Sequence, residues 1–416
     1  MLIFNSIVFL FTISISALVL PSILPKVSLI GVLLLAFAII LNQSSGLGLS
    51  IKSNLGFVKK INYSNSLIPV MGIVLLCALL LSRYLSVTPN LISNATTLLL
   101  HLLFLAFIIN TKDFLQTYLK AYVLFVFVMS ACAIIALLIF SSGSCSDCGH
   151  VNISQMTNGS FNRDQYEINS YVFPYNLGFI LTGSGKLNLL GVEFYRISGW
   201  AHEPTSATLF VVPAILLLIH SKVINNLFIR FFMLITVLLF WIAAMSVGSV
   251  LAMMILYSIY IVFNLYFKVF PLRLTLTVVL TVISTLLLIA LYFEALQNSS
   301  VLTTKFNLEG HSMQTAISEL LWFIPDDARY SLYHSDASFY IGQMAIWGII
   351  FLFMWVVLYS LLFQKELNVY ALILLYLIIH TMKGSQASVY THIFAFFWFY
   401  MAFYSMLNTH KNSKSG

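Results

Sequence analysis

Long apolar runs separated by short polar turns dominate this chain. They fall near residues 2–20, 27–43, 67–83, 92–110, 118–140, 205–221, 227–246, 249–267, 273–293, 338–363, 367–382 and 390–408. Most approach the ~20 helical residues needed to cross a hydrocarbon core of about 30 Å. Backbone amides and carbonyls have no water partner in lipid, so a spanning segment must be a helix or part of a closed barrel. A barrel strand would alternate polar and apolar residues over about 10 positions; these runs do not alternate. The pattern predicts an all-α polytopic transmembrane bundle of about twelve spans, forming one integral membrane domain over residues 1–416. The stretch 227–267 is apolar almost throughout and too long for one span, so a tight turn is expected at Ser246-Val247-Gly248-Ser249. No Lys or Arg precedes Lys26 and no small-residue cleavage site follows the first run, which reads as a retained span.

Two polar stretches interrupt the pattern by their length, 141–204 and 294–337. Long loops in compact proteins commonly carry function. Positive residues favour the cytoplasmic side of short loops. With both termini cytoplasmic, most Lys and Arg fall inside, and every acidic residue except Asp113 and Glu366 falls outside. Both large loops are then extracytoplasmic, and Trp200 and Trp322 within them suit an interface or a sugar face.

Composition sharpens the membrane reading. The chain is 60% hydrophobic and only 8% charged, against about 25% charged in soluble domains. The formal charge is +7, but the cations are scattered and form no basic stripe, which argues against nucleic acid as a partner. Cys77 and Cys132 lie in apolar runs as packing residues. Cys145 and Cys148 form a C-x-x-C pair suited to a small disulfide or free thiols, with His150 the sole nearby candidate for a further metal ligand. No metal site and no cofactor is expected.

Candidate chemistry concentrates in three places. Arg196, Gly199, Trp200, His202, Glu203 and Pro204 lead straight into a span. Pro204 suits the first turn of that helix, and Glu203 lies beside its positive end; a helix cap with an interfacial Trp is the plain structural alternative. Arg329, His334 and Asp336 repeat the arrangement before the span near 338, where Asp336 can also serve as a cap. Lys383 occupies a short outer turn, a disfavoured place for a cation. Fixed Arg and Lys at an outer membrane surface suit a lipid-borne phosphate or diphosphate, since the Arg fork matches phosphate oxygens. A neighbouring His or carboxylate can take the proton of an attacking hydroxyl.

The pattern Arg196-x-x-Gly199-x-x-x-Glu203-Pro204 before a span resembles O-antigen and capsular polysaccharide polymerases of the Wzy type, which are related to the O-antigen ligases. The Ser/Gly-marked junction at Ser246 to Ser249, and Asp336 to Tyr340 with Gly342 and Gly348 at the late span, add to it. The resemblance covers about 190–405. The chain departs from it in having Thr205 after the proline, where relatives often carry Asn, and Ser335-Asp336 where they often carry His-Asn. The resemblance implies metal-independent transfer of a growing glycan from undecaprenyl diphosphate to the next lipid-linked repeat unit at the outer face of a bacterial inner membrane. It assigns Arg196, Arg329 and Lys383 to diphosphate contact, and Glu203, His334, Asp336 and His202 to acceptor positioning or proton transfer. Undecaprenyl-diphosphate-linked oligosaccharides, membrane lipids, a chain-length regulator and a flippase are the implied partners. An O-antigen ligase and a lipid-linked oligosaccharide flippase are the rival readings; a flippase needs polar groups along a central cavity, whereas the charges here gather in the two outer loops.

Overall fold

The computed structural model describes residues 1–14, 27–44, 91–143, 149–152, 169–183, 187–189, 192–201, 204–266 and 369–381, with further helical positions at 393–394, 397–398 and 400–402. Helices account for most of them: α1 Leu2–Ser14, α2 Val27–Ser44, α3 Leu91–Asn110, α4 Leu115–Ser141, α5 Pro204–His220, α6 Leu227–Ala244, α7 Val247–Tyr266 and α8 Val369–Thr381. Each falls on an expected apolar run. The expected spans 67–83, 273–293 and 338–363, the loop 294–337 and Cys77, Cys145 and Cys148 lie outside the described residues. By length and composition, α4 and α6 are long and apolar enough to cross a membrane, and α1, α5 and parts of α2 and α7 are shorter apolar helices.

Helix α5 is buried on every side, from Pro204 and Ser206 through Leu218. A helix that is apolar all round belongs at the centre of a bundle. It packs against α4, α6, α7 and α8. Helix α6 divides differently. Met233, Val237, Phe240 and Ala244 face inward at helical spacing, while Phe228, Phe231, Phe232, Ile235, Leu239 and Ile242 form an exposed apolar stripe. Helix α4 shows the same split, with Leu124, Val128, Ile135 and Leu138 outward. At the other edge, Asn5 of α1 and Asn42 of α2 are both buried and exchange reciprocal amide hydrogen bonds of 3.0 and 3.3 Å. Such a pair satisfies two polar side chains that would otherwise be stranded in an apolar interior. Aromatic rings knit the middle together: Phe9 stacks on Tyr118 with centroids 4.9 Å apart, and Phe397 meets Phe9 at 4.9 Å.

The break between α6 and α7 lies slightly upstream of the expected turn. Met245 ends α6 in the left-handed region at φ 47, its N–H returning to the Ile242 carbonyl. Ser246 follows and α7 begins at Val247, so Gly248 and Ser249 are helical. The turn is closed by one left-handed residue at the helix end, a usual way to stop a helix, and not by the glycine. At its start α6 is capped by Asn226, whose Oδ1 accepts from the N–H groups of Phe228 and Ile229 at 3.0 and 3.1 Å.

The first large loop holds a sheet that the all-helical expectation did not include. Strands β1 Gly149–Asn152, β2 Asn169–Phe173, β3 Phe179–Gly183 and β6 Arg196–Gly199 form an antiparallel sheet in the order β1-β2-β3-β6. Strands β4 Leu187–Leu189 and β5 Val192–Phe194 make a separate hairpin. Strands of three to five residues are too short to show a convincing period of two. The sheet is seated on α4. A Cβ at Gly178 would stand 3.1 Å from the Ala133 Cα, so only glycine lets the strand approach so closely. Phe140 meets Tyr195 edge to face at 4.9 Å.

Candidate functional site

Pairing of β3 with β6 carries the chain from the sheet into the bundle. Leu181 pairs with Arg196, Ile180 with Ile197 and Phe179 with Gly199, with an irregularity between Phe179 and Ile180. Gly199 has φ +62, and a Cβ there would meet the Phe240 ring at 3.0 Å. Both facts require glycine: the left-handed region disfavours side chains, and the α6 ring leaves no space. Trp200 is half-buried and meets Phe173 edge to face at 5.4 Å. It thus packs on the sheet and helps close a cleft, beyond the interfacial role suggested by sequence. Helix α5 then starts at Pro204, where the missing N–H costs no helical hydrogen bond.

The N-terminus of α5 lies level with the neighbouring ends of α6, α7 and α8, while α4 runs past it. Ser130 of α4 and Ala207 of α5 line one apolar cleft with Met129, Ser198, Gly199 and Phe240. Above that level α4 rises about 16 Å to Ser141, whereas α5 rises only about 4.5 Å to Pro204. Helix α4 therefore runs roughly 12 Å past the start of α5, and strand β6 packs against α4, α5 and α6. The Ser130 hydroxyl is buried at this cleft without a hydrogen-bond partner among the described residues.

Arg196 is half-buried, and its Nε donates to the Ala244 carbonyl at the end of α6, 3.4 Å away. That carbonyl is one of the helix-terminal acceptors left without an intrahelical donor. The contact fixes the guanidinium plane by one edge. Behind Arg196 runs a buried polar relay at the same end of the bundle. Trp241 Nε1 donates to Ser249 Oγ at 2.8 Å, and Ser249 Oγ is 2.9 Å from the Tyr376 hydroxyl. The Tyr376 hydroxyl donates to the Thr208 carbonyl at 3.3 Å and lies 3.4 Å from His380 Nδ1. His380 Nε2 is 3.2 Å from the Thr205 carbonyl. A carbonyl can only accept, so Nε2 carries the proton, and that fixes the tautomer of a neutral ring.

The described cations divide between the two ends. Lys112 and Lys120 belong to the start of α4, and Lys222 and Arg230 flank the junction of α5 and α6, all at the end opposite Arg196. Arg230 Nη1 donates to the Ser221 carbonyl at 3.4 Å, closing the end of α5.

Of the residues singled out from sequence, Arg196 is placed at the end of α6, on the strand that leads to α5. His202, Glu203, Arg329, His334, Asp336 and Lys383 lie outside the described residues. Sequence reasoning passed over Trp241, Tyr376 and His380, and took Ser249 only as part of a turn. The signal for His380 was present: a titratable ring inside an apolar run is itself a reason to look for a partner. Compared with protein-family models, with curated proteins and with solved structures, the chain matches none.

Proposed function

We propose that this protein is a membrane-embedded polysaccharide polymerase, transferring a growing glycan from undecaprenyl diphosphate to the next lipid-linked repeat unit at the outer face of a bacterial inner membrane. The observation that carries the reading is the placement of Arg196. An arginine oriented by the Ala244 carbonyl stands on the strand that leads to the N-terminus of an encased helix. Helix N-termini favour anions, and membrane proteins use half-buried ones to hold anionic substrate groups. A lipid-linked diphosphate would set its anion at such a depth while its chain stays in the bilayer. The exposed apolar stripes of α4 and α6 suit lipid as their surroundings, and the cations at the far end suit a cytoplasmic face. In that orientation both chain termini are cytoplasmic, the spans number about twelve, and the sheet is extracytoplasmic.

Departure of the diphosphate needs its developing charge stabilised, and a fixed donor in such a role is typically worth about 10²–10³ in rate. Arg196, with Arg329 and Lys383 from the later segments, supplies that stabilisation. Glu203, His334, Asp336 and His202 are the candidates to position the acceptor and take its proton. The test is polysaccharide gel analysis of strains carrying Arg196→Ala or Arg329→Ala. Long-chain ladders should collapse to single repeat units while the protein still inserts. Normal ladders from both variants would remove the site assignment. Deletion of the gene separates the rivals: one repeat per acceptor marks a polymerase, none a ligase, and repeats stranded on the cytoplasmic side a flippase.

A further inference from the structure

Helix α5 is buried and carries a proline within an unbroken helical run. Pro213 lies inside it, so the Leu209 carbonyl loses its helical donor and the ring crowds the turn before it. The turns before the proline are also held from outside the helix. Tyr122 of α4 donates to the Phe210 carbonyl, Tyr376 of α8 to the Thr208 carbonyl, and His380 of α8 to the Thr205 carbonyl. Three side chains from two neighbouring helices thus bind backbone carbonyls on the N-terminal side of the proline. The hydrogens leave no donor idle when they run one way: Trp241 to Ser249, Ser249 to Tyr376, Tyr376 shared between Thr208 and His380 Nδ1, and His380 Nε2 to Thr205. Tyr376 and Ser249 are fully buried and His380 nearly so, so water does not replace a lost partner. Trp241 also lies one turn before Ala244, the residue whose carbonyl holds Arg196. One polar relay therefore ties the first turn of α5, the end of α6 and the outer end of α8 together.

We propose that Tyr376 and His380 are positioning residues, pinning the first turns of α5 so that its N-terminus and Arg196 keep a fixed separation for the substrate diphosphate. The inference rests on the polymerase reading for its substrate. Neither residue touches the reacting atoms; each acts through the backbone it holds. Stabilisation of a leaving group depends on donors being in place before charge develops, so loosening the first turns of α5 lowers turnover more than it weakens binding.

The experiment uses the full-length protein in lipid nanodiscs, with a lipid-linked repeat unit as donor and acceptor and initial rates measured against its concentration. His380→Ala should lower kcat about tenfold with KM within about twofold, an effect of the size expected for one misplaced contact. His380→Gln places an amide N–H where Nε2 stood and should recover most of the rate. Combined with Arg196→Lys, His380→Ala should cost less than the product of the two single losses, because both disturb one separation. Equal losses for the Ala and Gln variants, a purely multiplicative pair, or full activity of His380→Ala would each overturn the inference. Should His380→Ala fail to elute as a monodisperse species, Tyr376→Phe takes its place in the same cycle, with the same expected split. An Arg196→Lys protein with unchanged kinetics would instead overturn the diphosphate site, and with it the inference; a coupling failure beside a crippled Arg196→Lys overturns the positioning role alone.

Discussion

Helices α5 and α6 follow one another in the chain and are almost equally apolar, yet they live in different surroundings. Helix α5 has neighbours on every side, a proline in its middle and side-chain donors on its carbonyls. Helix α6 has a buried stripe and an exposed one, is regular from cap to cap, and its Thr236 hydroxyl returns to its own helix at the Phe232 carbonyl. The difference shows that apolar content does not tell a central helix from a peripheral one. What marks α5 is a proline inside the helix together with neighbours' side-chain donors on its Thr205, Thr208 and Phe210 carbonyls. A substrate site also gains from that placement, since a helix held on all sides offers a rigid N-terminus.

The sharpest way to break the comparison is to remove the same atoms from both helices. Leu216 of α5 is fully buried, whereas Leu239 of α6 is 52% exposed. Leu216→Ala leaves a cavity and should cost about 2–5 kcal/mol. Leu239→Ala, on the face assigned to lipid, should stay within about 0.5 kcal/mol. Unfolding by SDS titration in mixed micelles reads both. Equal losses would show that α5 is not enclosed as described or that α6 is covered by a partner.

A second substitution sharpens the joint between the sheet and the two helices. Gly199 combines φ +62 with a Cβ position 3.0 Å from Phe240, while Gly143 has φ +68 with nothing within 4 Å. Alanine at Gly143 should cost about 1 kcal/mol, the conformational term alone. Alanine at Gly199 adds overpacking against Phe240 of about 1–3 kcal/mol. Gly199→Ala should therefore be the more damaging of the two in SDS titration, and Phe240→Leu in the same chain should recover part of the loss. If both glycines tolerate alanine equally, the ring of α6 does not limit β6.

Much of this architecture was legible from residue order. The ends of α4, α5 and α6 follow from where apolar runs stop, and Pro204 marked the helix start because proline fits that position and few others. Arg196, Gly199 and Pro204 stood out as a constellation, and the structure gives Gly199 a reason in its dihedral and in Phe240. The sheet was not legible, because strands such as Leu187–Leu189 and Val192–Phe194 are too short to declare a period. Neither was the relay. Trp241, Ser249, Tyr376 and His380 belong to three different helices, and nothing local tells that Ser249 will stand 2.9 Å from a tyrosine 127 positions away. Long-range polar pairing of this kind is a property of helix packing, which periodicity does not encode.

The smallest effect is also the most specific to the contrast between the two helices. Tyr122 is fully buried, its ring meets Phe210 edge to face at 5.1 Å, and its hydroxyl donates to the Phe210 carbonyl. Tyr122→Phe keeps the ring contacts and removes only the donor. Hydrogen bonds between helices in lipid average about 0.6 kcal/mol, with a maximum near about 1.7. Because Phe210 lies three residues before Pro213, in the stretch where the helical ladder is already incomplete, the loss should fall in the upper half of that range. Thr236→Ala on α6 removes a hydroxyl that duplicates an acceptor already served by the helix, and should change stability by less than about 0.3 kcal/mol. Introducing Pro213→Ala restores the backbone N–H for Leu209 and should shrink the Tyr122→Phe loss toward the Thr236→Ala value. SDS titration of the four proteins decides it: an undiminished Tyr122→Phe loss in the Pro213→Ala background would mean that the tyrosine serves the bundle generally and not the turn before Pro213.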